Sequence, residues 1–147
     1  MTSPINKRIV AEATDWLGTP FRHQGSRKGV GCDCLGLVRG VWRAVYGCEP
    51  ELPGAYAMDW NETAAGDPLI EAARRHCAEK PATDMRPGDL LLFRWKPRYA
   101  AKHAGILVSA DRFIHAYDGN SVVVSPLVRQ WRARIAGVFE FPETLQG

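Results

Sequence analysis

The sequence of 147 residues lacks several features that would decide its class at once. It has no run of about 20 apolar residues, so no segment is predicted to span a membrane. Its formal net charge of +3 is too small by itself to indicate binding to nucleic acid. It has no internal repeat, and its length predicts a single domain over residues 1–147. The first fifteen residues contain no continuous apolar stretch, so we expect synthesis in the cytoplasm without a signal peptide.

Cysteine is also scarce, with four residues at positions 32, 34, 48 and 77. Cys32 and Cys34 are one residue apart, which is too close for an easy disulfide. No second closely spaced pair follows them, so the pattern is a poor match to a zinc site, and no metal or cofactor is predicted. We interpret Cys32 as a small buried residue rather than a redox partner of Cys34, and Cys48 and Cys77 as core thiols.

The apolar periodicity changes once along the chain, from helical in the first half to strand-like in the second. Helices are predicted over residues 4–17, 34–46 and 68–78, with a long loop over 48–67 that contains Pro50, Pro53, Gly54 and Gly66. Strands are predicted over Asp89–Trp95, His103–Ser109, Arg112–Tyr117, Ser121–Ser125 and Arg134–Phe141. Helices followed by an antiparallel sheet predict an α+β fold.

Cys34 is the candidate nucleophile, because it falls at the start of the second predicted helix. The unpaired N–H groups and the dipole at a helix start favour a thiolate. We therefore expect the pKa of this thiol to lie below its ordinary value.

The candidate bases are His103 and His115, which fall in two consecutive predicted strands. Their separation of twelve is even, so a hairpin whose loop has an odd number of residues places both on one face, close across the ladder. His103 would then take the proton of Cys34, and His115 would orient His103. The alternative interpretation is a pair of partly buried strand histidines without chemistry. His76 is interpreted as an ordinary helix histidine.

Five segments follow one another in an order that one protein family shares. They are Gly18-Thr19-Pro20-Phe21-Arg22, Asp33-Cys34-Leu35-Gly36-Leu37-Val38, Pro87-Gly88-Asp89-Leu90-Leu91-Leu92-Phe93, His103-Ala104-Gly105-Ile106 and Phe113-Ile114-His115-Ala116. Together they resemble the NlpC-type cell-wall cysteine peptidases, a papain-like group, and the segment with the candidate nucleophile resembles that family's Asp-Cys-Ser-Gly-Leu-Val signature. The resemblance implies a papain-like α+β fold with a catalytic set of Cys34, His103 and His115.

The resemblance also implies a substrate, the stem peptide of peptidoglycan, cleaved between D-glutamate and a diamino acid. Asp33 matches the family aspartate that helps to bind the free amino end of the stem. Phe21 stands where the family often has tyrosine, so a hydrogen-bond donor near the nucleophile is lost, and His23 or Gln24 would replace it. Leu35 replaces serine and would make its subsite more apolar.

The variant Gly-Cys-Asp-Cys-Leu-Gly-Leu-Val-Arg-Gly-Val-Trp over residues 31–42 resembles a branch from tailed phages and gene transfer agents. It implies assembly into a virion-like tail, with tail-tip or hub proteins as partners and action in the target cell envelope. Two alternatives stay open, a structural tail-tip subunit with a degenerate peptidase fold and a related amidase or acyltransferase. A metal-binding module is the alternative that the sequence favours least.

Three further features have a functional and a structural interpretation. The basic segment over residues 94–102 either grips an anionic polymer or a tail protein, or is a solvated hairpin loop. Trp60 either lines a substrate groove or anchors packing. The cluster of Arg129, Trp131, Arg132 and Arg134 is a candidate assembly surface.

Overall fold

The structure is a computed structural model, and it describes residues 3–49, 67–117 and 119–144. The predicted long loop therefore lies almost wholly outside the described residues, and so does Trp60. Asp118, in the predicted turn before the last two strands, is outside them as well.

Three of the described helices begin at a polar cap. Asn6 N donates to the Ser3 side chain at 3.3 Å before α1, and Asp33 and Asp67 cap α2 and α3 in the same way. A proline follows the cap in α1 and α3, where its missing N–H costs nothing. The described helices are α1 (Pro4–Asp15), α2 (Cys34–Tyr46), α3 (Pro68–His76) and α4 (Arg129–Ala133), with a 3₁₀ turn over Ala82–Asp84.

The main sheet has six antiparallel strands in the order β3-β8-β4-β5-β6-β7. A small antiparallel pair, β1 with β2, lies outside it. The strands are β1 (Ser26–Arg27), β2 (Gly31–Cys32), β3 (Ala78–Lys80), β4 (Leu90–Phe93), β5 (His103–Ser109), β6 (Arg112–Ala116), β7 (Val122–Pro126) and β8 (Ile135–Glu140). The predicted order of helices and then an antiparallel sheet is confirmed.

Several boundaries differ from the prediction. The first helix ends at Asp15 rather than residue 17, because the chain turns over Trp16–Gly18 and Gly18 has a φ of 86°. The third helix ends at His76, and the residues after it form β3, which pairs with β8. Short elements such as β1, β2, β3 and α4 carry too few residues for a periodicity, so they were not predicted.

The two faces of the main sheet carry separate apolar clusters. One face packs against α1, α2 and α3 through residues that include Leu92, Ala104 and Ile114. The other face presents Phe93, Leu107 and Phe113, against which Trp131 of α4 packs. None of the described helices is long and apolar enough to cross a membrane.

Candidate active site

Cys34 is the first residue of α2, and the turn that holds it is built around Asp33. One carboxylate oxygen of Asp33 accepts from the N–H of Gly36 at 2.7 Å, which caps the helix. The other accepts from the N–H of Gln24 at 2.6 Å. Asp33 is only 4% exposed, so it joins the helix start rigidly to the preceding loop.

The loop over residues 21–25 lies against the start of α2. Phe21 forms an isolated bridge with Cys32, and its side chain packs on the helix-side core. The exposed His23 places Nδ1 3.8 Å from a carboxylate oxygen of Asp33. The structure therefore holds Phe21, His23 and Asp33 together in the segment that leads to Cys34, and their contact with substrate stays a prediction.

The thiol of Cys34 lies against the first residues of β5. Its sulfur is 3.9 Å from the carbonyl oxygen of Lys102, and the backbone N–H of Ala104 also approaches it. Lys102 and Ala104 are the two neighbours of His103. The fold thus brings the nucleophile at a helix start to the strand position of the candidate base.

His103 and His115 make a direct hydrogen bond. Nε2 of His103 and Nδ1 of His115 are 2.8 Å apart. The β5–β6 register pairs Ile106 with Ile114, so Gly105 falls opposite His115 and His103 lies one diagonal step away on the same face. A Cβ at Gly105 would come 2.8 Å from the Phe113 ring and 3.3 Å from the Cβ of His115, so a side chain at this position would crowd β6.

Ser125 is a further member of this line of side chains, and the sequence analysis missed it. Its hydroxyl oxygen lies 2.8 Å from Nε2 of His115. His115 pairs with Val123 in β7, so Ser125 is again one diagonal step away on the same face. The even separation of ten between His115 and Ser125 was the available signal, but a serine in a strand rarely attracts attention.

Aromatic rings enclose the two histidines. Trp95 stacks on His103 at 5.4 Å between ring centroids, and Tyr117 stacks on His115 at 5.7 Å. Trp131 lies 5.6 Å from His103 and 5.2 Å from His115. The histidines are 4% and 1% exposed, so this apolar cover separates them from water.

Burial sets the protonation state of both rings. It lowers the pKa of His103 to about 3, with His115 as a smaller contribution, and it lowers the pKa of His115 to about 4. Both imidazoles are therefore neutral at pH 7, so His103 is free to accept a proton.

The expected low pKa of the Cys34 thiol is wrong for the resting protein. Burial, and then the negative charge of Asp33, raise the pKa of Cys34 to about 12. The N–H groups of Ala104, Leu35 and Cys34 itself act in the opposite direction but are weaker. The helix-start argument omitted burial, which only the folded chain reveals. The resting site thus holds a neutral thiol and a neutral imidazole.

Leu35 packs in the core on the helix side of the sheet. It is 9% exposed and lines a small apolar cavity of about 50 Å³ between α2, α3 and the sheet, together with Trp42 and Leu92. This position gives it a role in core packing, and its contact with substrate stays a prediction.

The remaining cysteines divide by burial. Cys32 is fully buried, as predicted, and Cys77 is half-buried against the core. Cys48 is exposed, so its interpretation as a core thiol is wrong. It follows α2 directly beyond Gly47, where the chain leaves the core. Among the described residues, no group of three His, Cys, Asp or Glu side chains is placed to hold a metal ion.

Several side chains of the basic segment 94–102 and of the arginine cluster over residues 129–134 make contacts within the fold. Arg94 lies 3.6 Å from the carboxylate of Asp67, and its Nη1 donates to the Tyr99 carbonyl. Arg132 donates to the Leu127 carbonyl, and Arg134 stacks over Trp95 and Trp131. Of the three arginines proposed as an assembly surface, Arg134 therefore supports the aromatic cover of the histidines, and Arg132 holds backbone carbonyls.

A cysteine at a helix start, packed against a histidine-bearing antiparallel sheet, places this fold in the α+β papain-like class. The model of the NlpC/P60 family matches residues 18–140, and the chain belongs to this family. Members of the family are generally cysteine peptidases that act on peptidoglycan, although some are non-catalytic.

Two curated relatives are each 29% identical to this chain. The gamma-DL-glutamyl hydrolase of Bacillus subtilis aligns over 134 residues, which are 90% of this chain and 29% of the relative. The murein DD-endopeptidase/LD-carboxypeptidase MepS of Escherichia coli aligns over 131 residues, or 88% of this chain and 60% of the relative. The chain thus spans less than two thirds of the length of either relative, 29% of the first and 60% of the second.

Solved structures agree on the fold. The NlpC/p60 domain of the peptidoglycan hydrolase SagA covers 92% of this chain with a TM-score of 0.64 and 25% identity, and 98% of that domain is matched. RipD from Mycobacterium tuberculosis, described as a non-catalytic NlpC/p60 domain protein adapted to peptidoglycan binding, covers 95% of this chain. It has a TM-score of 0.61 and 16% identity, with 98% of its own chain matched. The fold therefore occurs with and without catalysis.

Proposed function

We propose that this protein is a peptidoglycan endopeptidase that cleaves stem peptides through Cys34. The observation that carries the proposal is the 2.8 Å hydrogen bond between His103 and His115, beside a thiol that contacts both neighbours of His103. A buried neutral histidine pair next to a helix-start cysteine has the parts of an acyl-transfer site.

The reaction begins with general-base catalysis. Nε2 of His103 is engaged with His115, so Nδ1 takes the proton of the Cys34 thiol as Sγ attacks the carbonyl carbon of the stem peptide. The C–N bond breaks, and the leaving amine takes the proton back from His103. Water, activated by His103, then hydrolyses the thioester and releases the carboxylate. The N–H of Cys34, at the first position of α2, stabilises the oxyanion.

We place the free amino end of the stem beside Asp33 and His23. The carboxylate of Asp33 supplies a negative charge next to the nucleophile, and His23 is exposed on the loop that reaches it. Phe21 offers no hydroxyl there, so substrate recognition relies on this loop and on backbone groups.

The test is incubation with purified muropeptides, separated by length and cross-linking, followed by mass spectrometry of the products. We expect release of stem fragments cut after D-glutamate. Cleavage at the D-alanine cross-link or of a terminal residue would point instead to an endopeptidase or carboxypeptidase of the kind named for MepS. Cys34→Ala and His103→Ala should abolish release, and Cys48→Ala, which removes an exposed thiol, should leave it unchanged.

Full activity in Cys34→Ala would defeat the mechanism. Binding of peptidoglycan in a pull-down, without any product, would favour the second candidate, a binding subunit on a degenerate peptidase fold. The non-catalytic RipD, with the same fold, is the observation that favours this candidate. Cleavage of a non-peptidoglycan amide alone would favour the amidase or acyltransferase alternative.

We also propose delivery on a phage-like tail tip, with hub proteins as partners and action in the envelope of the target cell. The support is the resemblance of residues 31–42 to the phage-derived branch. Mass spectrometry of purified tailed particles from the source organism should detect this chain. Its absence from the particles, with presence in the cell wall fraction, would overturn the proposal.

A further inference from the structure

Three side chains on adjacent strands form one hydrogen-bonded line across the sheet. His103 of β5 contacts His115 of β6 through Nε2 and Nδ1 at 2.8 Å, and His115 contacts Ser125 of β7 through Nε2 and Oγ at 2.8 Å. Each step moves one strand across the sheet and two residues along it. The two histidines are buried, and Ser125 is half-buried at the outer end.

A neutral imidazole has one N–H donor and one acceptor nitrogen, so the line has two possible directions. If His115 donates from Nε2 to Ser125, its Nδ1 is an acceptor. His103 must then carry its proton on Nε2, which leaves Nδ1 open to accept the thiol proton. If His115 instead donates from Nδ1, His103 accepts on Nε2 and carries its proton on Nδ1, where it cannot act as the base.

We propose that Ser125 is a positioning residue that sets the direction of this line by accepting a hydrogen bond from His115. The serine thereby selects the tautomer of His103 in which Nδ1 is the free base. It never touches substrate and acts two hydrogen bonds away from the proton that is transferred. The kinetic part of this proposal rests on the proposed function, but the tautomer assignment does not.

The position of Ser125 at the outer end of the line suits its role as a positioning residue. A hydroxyl both donates and accepts, so Ser125 can accept from Nε2–H of His115 and donate a hydrogen bond to solvent. Without this acceptor, Nε2–H of His115 would lose its partner inside an apolar enclosure, which disfavours that tautomer. Replacement of Ser125 should therefore shift the histidine pair towards the unproductive direction.

The first measurement is NMR of the ring nitrogens of ¹⁵N-histidine-labelled protein at pH 7, without substrate. In the wild type we expect both His103 and His115 to have protonated Nε2 and unprotonated Nδ1. Ser125→Ala should give a mixture of tautomers, and Ser125→Thr, which keeps the hydroxyl on a β-branched residue suited to a strand, should restore the wild-type pattern. Ser109→Ala, a serine of β5 bonded to Asp111, is the matched control.

The second measurement is muropeptide cleavage by the same variants. Loss of one hydrogen bond of roughly 1.4 kcal/mol corresponds to about a tenfold fall in kcat for Ser125→Ala, with KM unchanged. Ser125→Thr should recover most of the rate, and Ser109→Ala should match the wild type.

Wild-type tautomers and rates in Ser125→Ala would overturn the proposal, as would Nδ1-protonated histidines in the wild type. A loss of rate with unchanged tautomers would also overturn it, because Ser125 would then have only a structural role. If the expected tautomers occur but no muropeptide is cleaved, the proposed function fails while the role of Ser125 stands.

Discussion

At the scale of single residues, Cys34 shows how burial opposes a local electrostatic preference. Its position at a helix start favours the thiolate, but burial and the adjacent Asp33 outweigh that effect and raise the pKa to about 12. Because His103 is also neutral at pH 7, the proposed mechanism has proton transfer during attack rather than before substrate binds. This distinguishes the site from one that rests as a thiolate–imidazolium ion pair.

Alkylation tests this protonation state. The rate of Cys34 alkylation by iodoacetamide should rise with pH beyond pH 9 and show no plateau below pH 8, measured by mass spectrometry of each cysteine. The exposed Cys48 is the internal comparator and should react faster than Cys34 at pH 7. Asp33→Asn removes the negative charge but keeps a helix cap, so Cys34 should react roughly ten times faster for each unit by which its pKa falls. A plateau below pH 8 in the wild type would restore the ion-pair description.

At the scale of elements, the start of α2 depends on a close approach between a helix and a loop. A Cβ at Gly36 would lie 1.6 Å from the carbonyl oxygen of Gly25, so only glycine lets this loop rest on the helix. The loop carries His23, and the N–H of its Gln24 donates to the second carboxylate oxygen of Asp33. Packing here therefore couples helix stability to the geometry of the site.

Gly36→Ala should disturb both the stability of the fold and the geometry of the site. The loop must move, so we expect a loss of about 1–3 kcal/mol in unfolding free energy by urea titration, even though alanine is the better helix former, and a large fall in muropeptide cleavage. Gly47→Ala is the comparison, because Gly47 has a φ of 80° and no atom of the described residues lies within 4 Å of a Cβ at this position. Gly47→Ala should lower the free energy of unfolding by about 1–2 kcal/mol through backbone strain and leave muropeptide cleavage unchanged. Equal effects of both variants on cleavage would contradict the role given to Gly36.

The short helix α4 affects the site through Trp131. Its ring lies over both histidines and against Phe93 and Phe113, on the sheet face opposite the long helices. An element of only five residues thus supplies much of the apolar cover that keeps the histidines neutral.

Trp131→Ala should admit water to the histidine pair. With less desolvation, the pKa values of His103 and His115 should rise towards 6.5, so the acid limb of the profile of kcat/KM against pH should move to higher pH. Arg129→Ala, at the exposed start of the same helix, should leave the profile unchanged. An unmoved acid limb in Trp131→Ala would show that the cover does not set these pKa values.

At the scale of the whole molecule, the buried histidines make folding depend on pH. Their pKa values are depressed in the folded state, so between pH 6.5 and 4 the unfolded chain binds protons that the folded chain does not. Stability is therefore complete above pH 6.5 and falls as the pH decreases. The raised pKa of Asp89, caused by burial and opposed by Lys80, acts in the opposite direction.

Urea unfolding at pH 7 and pH 5 tests this dependence. Each histidine should lower the free energy of unfolding by about 2 kcal/mol at pH 5, because this pH lies 1.5 units below the ordinary histidine pKa. His115→Gln, which cannot be protonated, should reduce the difference between the two pH values by about half. An equal difference in the variant and the wild type would contradict buried neutral histidines as its cause.

The sequence by itself determined the fold class, the order of the longer elements, the family resemblance and the triad candidates. These follow from local signals, such as the predicted helix start at Cys34, the even spacing of His103 and His115, and the change of period after residue 88. The triad was found because a helix start and strand parity are properties of neighbouring residues.

Only the tertiary structure decided which further residues join the candidate site and how its side chains are protonated. Ser125 joins the histidine line, Trp131 covers it and Leu35 turns into the core through contacts between residues far apart in sequence. The raised pKa of Cys34 depends on burial, which no local pattern measures. The sequence therefore selects the reacting side chains, and the fold decides their protonation, because desolvation is a property of the assembled core.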